Sequence, residues 1–184
     1  MEHIKKIALI FLSTILILYL FSCDEVGENA DIDFNTTLVK TLPVAVTTSN
    51  EMTSTIVLVA TVDAEIQRYA DQIKNYEITE LLFAIENYMA PTEAEIYFDG
   101  AIGFSKKSEN MASLTCSIGP LNITHVAGTG DFLISTCDDI INGISGVFTT
   151  DNAVKIYMIG TFTQTPLSFD LKVTIKAKIT AKPQ

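Results

Sequence analysis

The clearest pattern of apolar and polar positions lies near the end of the chain. Leu167, Phe169, Leu171, Val173, Ile175, Ala177 and Ile179 occupy every second position, with Ser168, Asp170, Lys172, Thr174, Lys176, Lys178 and Thr180 between them. Strict period-two alternation sets one face of a strand on a core and the other in water. A slip of one residue would bury three lysines, so the pattern also specifies register. Val154, Ile156, Met158 and Phe162 alternate in the preceding segment, and Gln164-Thr165-Pro166 supplies a turn. These two segments are predicted to form an antiparallel hairpin.

Upstream the signals are again mostly those of strands. Residues 36–49 are rich in Thr and Val and hold Pro43, which favours an edge position or a bulge. Residues 52–63 are dominated by Ile, Val, Leu and Thr, and Ser49-Asn50-Glu51 is a turn, so the two runs are expected to pair. The period changes at residues 64–74, where Ile66, Tyr69, Ala70 and Ile73 fall at helical spacing behind Asp63 as a cap. Residues 77–88 return to strand, with Ile78, Leu82, Phe83 and Ile85 close enough for burial on both faces, and Met89-Ala90-Pro91 ends it. A strand over 95–105, bent at Gly100 and Gly103, precedes another over 112–118 that Gly119-Pro120 punctuates. Residues 121–126 and 131–135 read as short strands. Residues 136–148 read as a helix capped by Ser135 or Thr136, with an apolar stripe from Ile140 to Phe148. About eight strands, two short helices and no βαβ rhythm predict a mainly β chain, an antiparallel β-sandwich. The alternative is a lipocalin-like β-barrel that encloses a small apolar ligand.

The beginning of the chain follows a different logic. Lys5 and Lys6 precede an uncharged apolar run over residues 7–21, closed by Leu20-Phe21-Ser22-Cys23. That order is the signature of a secretory signal. The run is shorter than the roughly 20 residues needed to span a bilayer. Its last four residues resemble the bacterial lipobox, Leu-Ala/Ser-Gly/Ala-Cys: Leu20, Ser22 and Cys23 match, and Phe21 is bulkier than usual. The resemblance implies cleavage before Cys23 and acylation of its thiol, with the membrane as a partner through the lipid. Asp24 and Glu25 make this beginning similar to exported lipoproteins of the Bacteroidota, in which such acids accompany transfer to the cell surface. The expected organisation is a signal peptide over 1–22, a lipidated cysteine with an acidic tether over 23–35, and a sandwich domain over 36–184. The expected address is the cell envelope, as an outer-membrane lipoprotein facing the periplasm or the surface.

Charge narrows the partners. Loss of residues 1–22 removes Lys5, Lys6 and Glu2 from 12 basic and 22 acidic residues, which leaves 10 and 21 and a net charge near −11. That excess repels nucleic acid and anionic headgroups. With Cys23 assigned to lipid, Cys116 and Cys137 remain, either bridged across a loop of 21 residues or separate as buried thiols. The chain has no Trp to stack on a sugar, so Tyr76 and Tyr88, at the two ends of one strand, are the candidate ligand contacts. Rim residues with wet hydroxyls are the plainer alternative.

No catalytic motif is present. His125 is the single histidine after the signal, and no C-x-x-C or H-E-x-x-H spacing accompanies it. His125, Asp131 and Ser135 lack a G-x-S-x-G elbow. Asp138 and Asp139, flanked by Asp131 and Asp151, are weak calcium candidates without a D-x-[DN]-x-[DN]-G loop, and acids at a helix start have their own electrostatic reason. Glu93 with Glu95, or Glu77 with Glu80, are acids of solvated strand faces before they are a glycosidase pair. No cofactor is expected. The chain therefore reads as a non-enzymatic binding module for another protein or a surface component. The alternatives are a carrier or sensor of a small apolar ligand, and a hydrolase whose acids assemble from distant positions.

Overall fold

A computed structural model of the chain describes residues 30–91 and 95–183. The expected signal peptide, Cys23 and residues 24–29 of the expected tether lie outside them. Seven strands are formed among the described residues: β1 (Ile32–Val46), β2 (Glu51–Val59), β3 (Ile73–Met89), β4 (Tyr97–Ser105), β5 (Leu114–Asn122), β6 (Ala153–Phe162) and β7 (Leu167–Ala181). They make two antiparallel sheets, one in the order β1-β7-β3 and the other β2-β6-β4-β5. The sheets face each other as a β-sandwich and do not close into a barrel, which removes the lipocalin-like alternative.

The alternation of β7 is realised in full. Leu167, Phe169, Leu171, Val173, Ile175, Ala177 and Ile179 are all buried. Its lysines point outward, each beside an acid: Lys172 lies 3.3 Å from Glu86, Lys176 2.5 Å from Glu80 and Lys178 2.7 Å from Asp33. The hydrogen bond from Lys178 holds the Asp33 carboxyl below its usual range. The partner of β7 differs from expectation. β6 and β7 enter opposite sheets, as do β1 and β2, so neither expected pair is a hairpin. Period-two patterning states which face is buried, not which strand lies alongside. Residues 163–166 are long enough to cross the roughly 10 Å between stacked sheets.

Aromatic rings fill the space between the layers. The Phe98 and Phe162 centroids are 5.0 Å apart, and Phe162 meets Phe169 of the facing sheet edge-on at 6.0 Å. Gly100 and Gly160 make room for the Phe98 ring, since a Cβ on either would approach it to 2.7 Å. The expected bend near Gly100 is a register shift between Phe98 and Gly100. Of the residues expected to be buried on both faces of this strand, Ile78, Phe83 and Ile85 are buried, with Ala84 beside them, while Leu82 is half-buried.

Several local expectations change. β1 begins at Ile32, four residues before the expected boundary, because Ile32 and Phe34 continue the pairing with β7 and Phe34 packs on Tyr69 at 5.7 Å. Asp63 caps the first helix, α1 (Ala64–Arg68), accepting from the N–H groups of Glu65 and Ile66, but the helix is a short one. β5 runs through Gly119-Pro120, since an edge strand loses no ladder bond where proline lacks its N–H. In place of a strand over 121–126, the Asn122 side chain accepts from His125 N–H at 3.0 Å and starts a single turn, α2 (Ile123–Val126). Residues 131–135 contribute one bridge, Phe132 to Phe83. The second expected helix is a 3-10 segment (Ser135–Ile140) that leads into α3 (Ile141–Asp151); Thr136 does not cap it but donates to the Ser117 carbonyl.

Cys116 and Cys137 form a disulfide, with Cα atoms 4.8 Å apart, that fastens the 3-10 segment to β5. The closed loop spans a sequence separation of 21. Replacing both cysteines by serine is expected to lower the unfolding free energy by about 3 kcal/mol, measured by urea denaturation. An unchanged midpoint would show that this staple contributes nothing.

Candidate functional site

The residues singled out by sequence do not converge. Tyr76 occupies an inward position of β3 and is only 1% exposed, so it is no surface contact. Its ring stacks on Phe148 of α3 at 5.5 Å and its hydroxyl donates to Asn152 Oδ1 at 3.0 Å. Burial pushes its phenol up to about 12, with the nearby charge of Asp63 acting in the same direction. Tyr88 is half-buried, its hydroxyl 3.1 Å from Thr124 Oγ1. Thr124 in turn accepts from Ile96 N–H, so Tyr88 helps bind α2 to the chain that enters β4.

The acids are likewise apart. Asp138 and Asp139 are exposed on the 3-10 segment, whereas Asp131 faces Lys172 at 3.6 Å. Among the described residues no three His, Cys, Asp or Glu side chains gather where they could hold a metal ion, so the calcium set is not assembled. His125 is exposed on α2, and no hydrogen bond links it to Asp131 or Ser135. Glu80 is engaged by Lys176, and Glu95 accepts from Tyr97 at 2.7 Å. Glu93 and Cys23 lie outside the described residues.

What the fold does assemble is an apolar groove at one end of the three-stranded sheet. Ala45 and Val46 from the end of β1, Met89 and Pro91 from the end of β3, and Pro166 and Leu167 from the start of β7 line about 290 Å³. The ladder brings them together, because Ala45 pairs with Ser168 and Ser168 with Met89. Met89 is 66% exposed, and its flexible thioether suits an adaptable apolar contact. By sequence Met89-Ala90-Pro91 and Pro166 read as breaks and Ala45, Val46 and Leu167 as strand positions, and no local signal joins them into one surface. β1 enters the sheet at Ile32, and its 15 residues carry the chain to this groove, roughly 45–50 Å away at about 3.4 Å per residue.

No protein-family model and no curated protein matches the chain. Among solved structures, a chain of Desmodium yellow mottle tymovirus is similar at 13% identity and a TM-score of 0.34, over 85% of this chain and 84% of that one.

The packing of Tyr76 makes a pH prediction. Its pKa is raised in the folded state, so the stability linked to it is complete below the ordinary tyrosine value near 10 and is lost as pH climbs toward 12. In an alkaline titration followed by phenolate absorbance, one tyrosine should ionise near pH 12, and Tyr76→Phe should abolish that step. The same variant should cost about 1 kcal/mol for the lost hydrogen bond. A late step that survives in Tyr76→Phe would contradict the assignment.

Proposed function

We propose that the chain is a cell-envelope lipoprotein, anchored through acylated Cys23, that acts as a non-enzymatic binding module. The observation that carries the anchor is the sequence order of basic n-region, apolar run and Leu20-Phe21-Ser22-Cys23. More than one acyl chain on the cysteine gives durable attachment, each buried methylene contributing about 0.8 kcal/mol. The interval from Cys23 to Ile32 can extend to at most about 30 Å. The sandwich therefore stays close to the membrane, with the start of β1 as its near end. The groove around Met89 and Pro166 lies at the opposite end of the sheet, where a partner outside the membrane has access. Its apolar lining suits an apolar segment of another protein. The neutralised lysine and acid ladder on the outer face of the same sheet gives that partner little to grip.

Metabolic labelling with a radioactive fatty acid should mark the wild-type chain and leave Cys23→Ala unlabelled. Equal labelling of the two would overturn the anchor. A photo-crosslinker placed at Met89 on intact cells should capture a protein that one placed at Glu77, on the charged face, does not. Indifference between the two positions would remove the groove as the contact.

A further inference from the structure

The four edges of the two sheets differ in how they are closed. The edge of β3 is covered: Phe83 and Phe132 exchange main-chain hydrogen bonds of 2.9 and 2.7 Å, and Ile78 N–H donates to Ser145 of α3. β5 carries Pro120, and the Ser117 carbonyl is taken by Thr136 beside the disulfide. β1 has Pro43, whose carbonyl accepts from Ser54, and it turns Lys40 to its inner face, where an added strand would bury the charge. Apart from that hydrogen bond from Ser54, β2 has none of these devices. Its sequence, Glu51-Met-Thr-Ser-Thr-Ile-Val-Leu-Val59, has no proline and a single charge at one end.

The ladder shows which of its groups are free. Phe162 N–H donates to the Asn50 carbonyl at 2.9 Å and Ala60 N–H to the Asn152 carbonyl at 2.8 Å, so even-numbered residues bond to β6. The N–H and C=O groups of Thr53, Thr55 and Val57 therefore point away from the sheet, and the Thr53 and Thr55 side chains are exposed.

We propose that β2 pairs antiparallel with β2 of a second copy of this chain, about a two-fold axis at Thr55. In that register Thr55 faces its own mate and Thr53 faces Val57, all of them residues whose main-chain groups are free. The Thr–Thr and Thr–Val neighbours are well suited to cross-strand packing. The parity also keeps every inward side chain inward, so the two four-stranded sheets become one of eight. The self-complementary row of free groups centred on Thr55 suits a second copy. The net charge of −10 opposes contact between copies over the charged surface, and β2, uncharged from Met52 to Val59, is where that opposition is least. The two Glu51 residues would sit at opposite ends of the new ladder, about 27 Å apart at 3.4 Å per residue. The row of Thr53, Ile159, Ala101 and Ser117 is uncharged, and the single cation in the row of Val57, Lys155, is engaged by the Glu109 carbonyl. This pairing does not depend on the lipid anchor or the groove.

Sedimentation of the purified full chain over a range of concentrations tests it. Wild type should dimerise, and Thr55→Pro, which removes an outward N–H and no bond to β6, should weaken the dimer at least tenfold with its circular dichroism unchanged. If Thr55→Pro fails to fold, Thr55→Lys sets two cations across the axis without altering the backbone and should do the same. A wild-type chain that stays monomeric, a folded variant of either kind that dimerises as wild type does, or a monomer that associates only with an added extended peptide would each overturn the self-pairing.

Discussion

Everything in the sandwich leans on β7 being wanted on both sides and on both faces. It is the central strand of its sheet, bonded to β1 over its whole length and to β3 on the other side. One face carries the apolar residues that meet the opposite sheet, and the other carries lysines set among acids from β1, β3 and the loop before the 3-10 segment. Exposed pairs of this kind stabilise little individually. Their larger effect is on register: displacing β7 by one residue would drive Lys172, Lys176 and Lys178 into the core.

The rest of the chain solves the problem of joining two sheets of unequal width. Phe98, Phe162 and Phe169 bridge the layers, and glycines at 100 and 160 give the Phe98 ring its space. On the side of β3 and β5, α3, the 3-10 segment and residues 127–132 close the sandwich, with the disulfide as a covalent tie. On the side of β1 and β2 no such cover exists among the described residues. There the two edges are held near each other by contacts such as Ser54 to Pro43. This asymmetry leaves one strand edge open, while the groove at the far end of the three-stranded sheet arises where three strands stop together.

Much of this was legible from residue pattern. The alternation of β7, the cap at Asp63, the edge character of Pro43 and the double burial around Phe83 all follow from local physics, and all are found. The candidate contacts fared worse. A tyrosine at a strand end is a candidate contact, or at least a rim residue with a wet hydroxyl, but Tyr76 stacks on Phe148 of α3 and Asn152 satisfies its hydroxyl internally. Asp138 and Asp139 are exposed on the 3-10 segment while Asp131 is engaged by Lys172, so these neighbours in sequence form no metal cluster among the described residues. The groove has no sequence pattern of its own, since its residues belong to three strand ends that meet only in the ladder.

Sequence alone determined the class of fold and the buried face of nearly every strand, because each is written in the order of side chains along a short stretch. Only the tertiary structure decided which strands are neighbours. It sent β1 and β2, and β6 and β7, into opposite sheets, and it chose the bridge between Cys116 and Cys137 over two separate thiols. It also decided which edge stays open. Pairing and edge closure depend on contacts between residues far apart in the chain, whose free energy is felt only when both sheets are in place; a side-chain period of two carries no information about them.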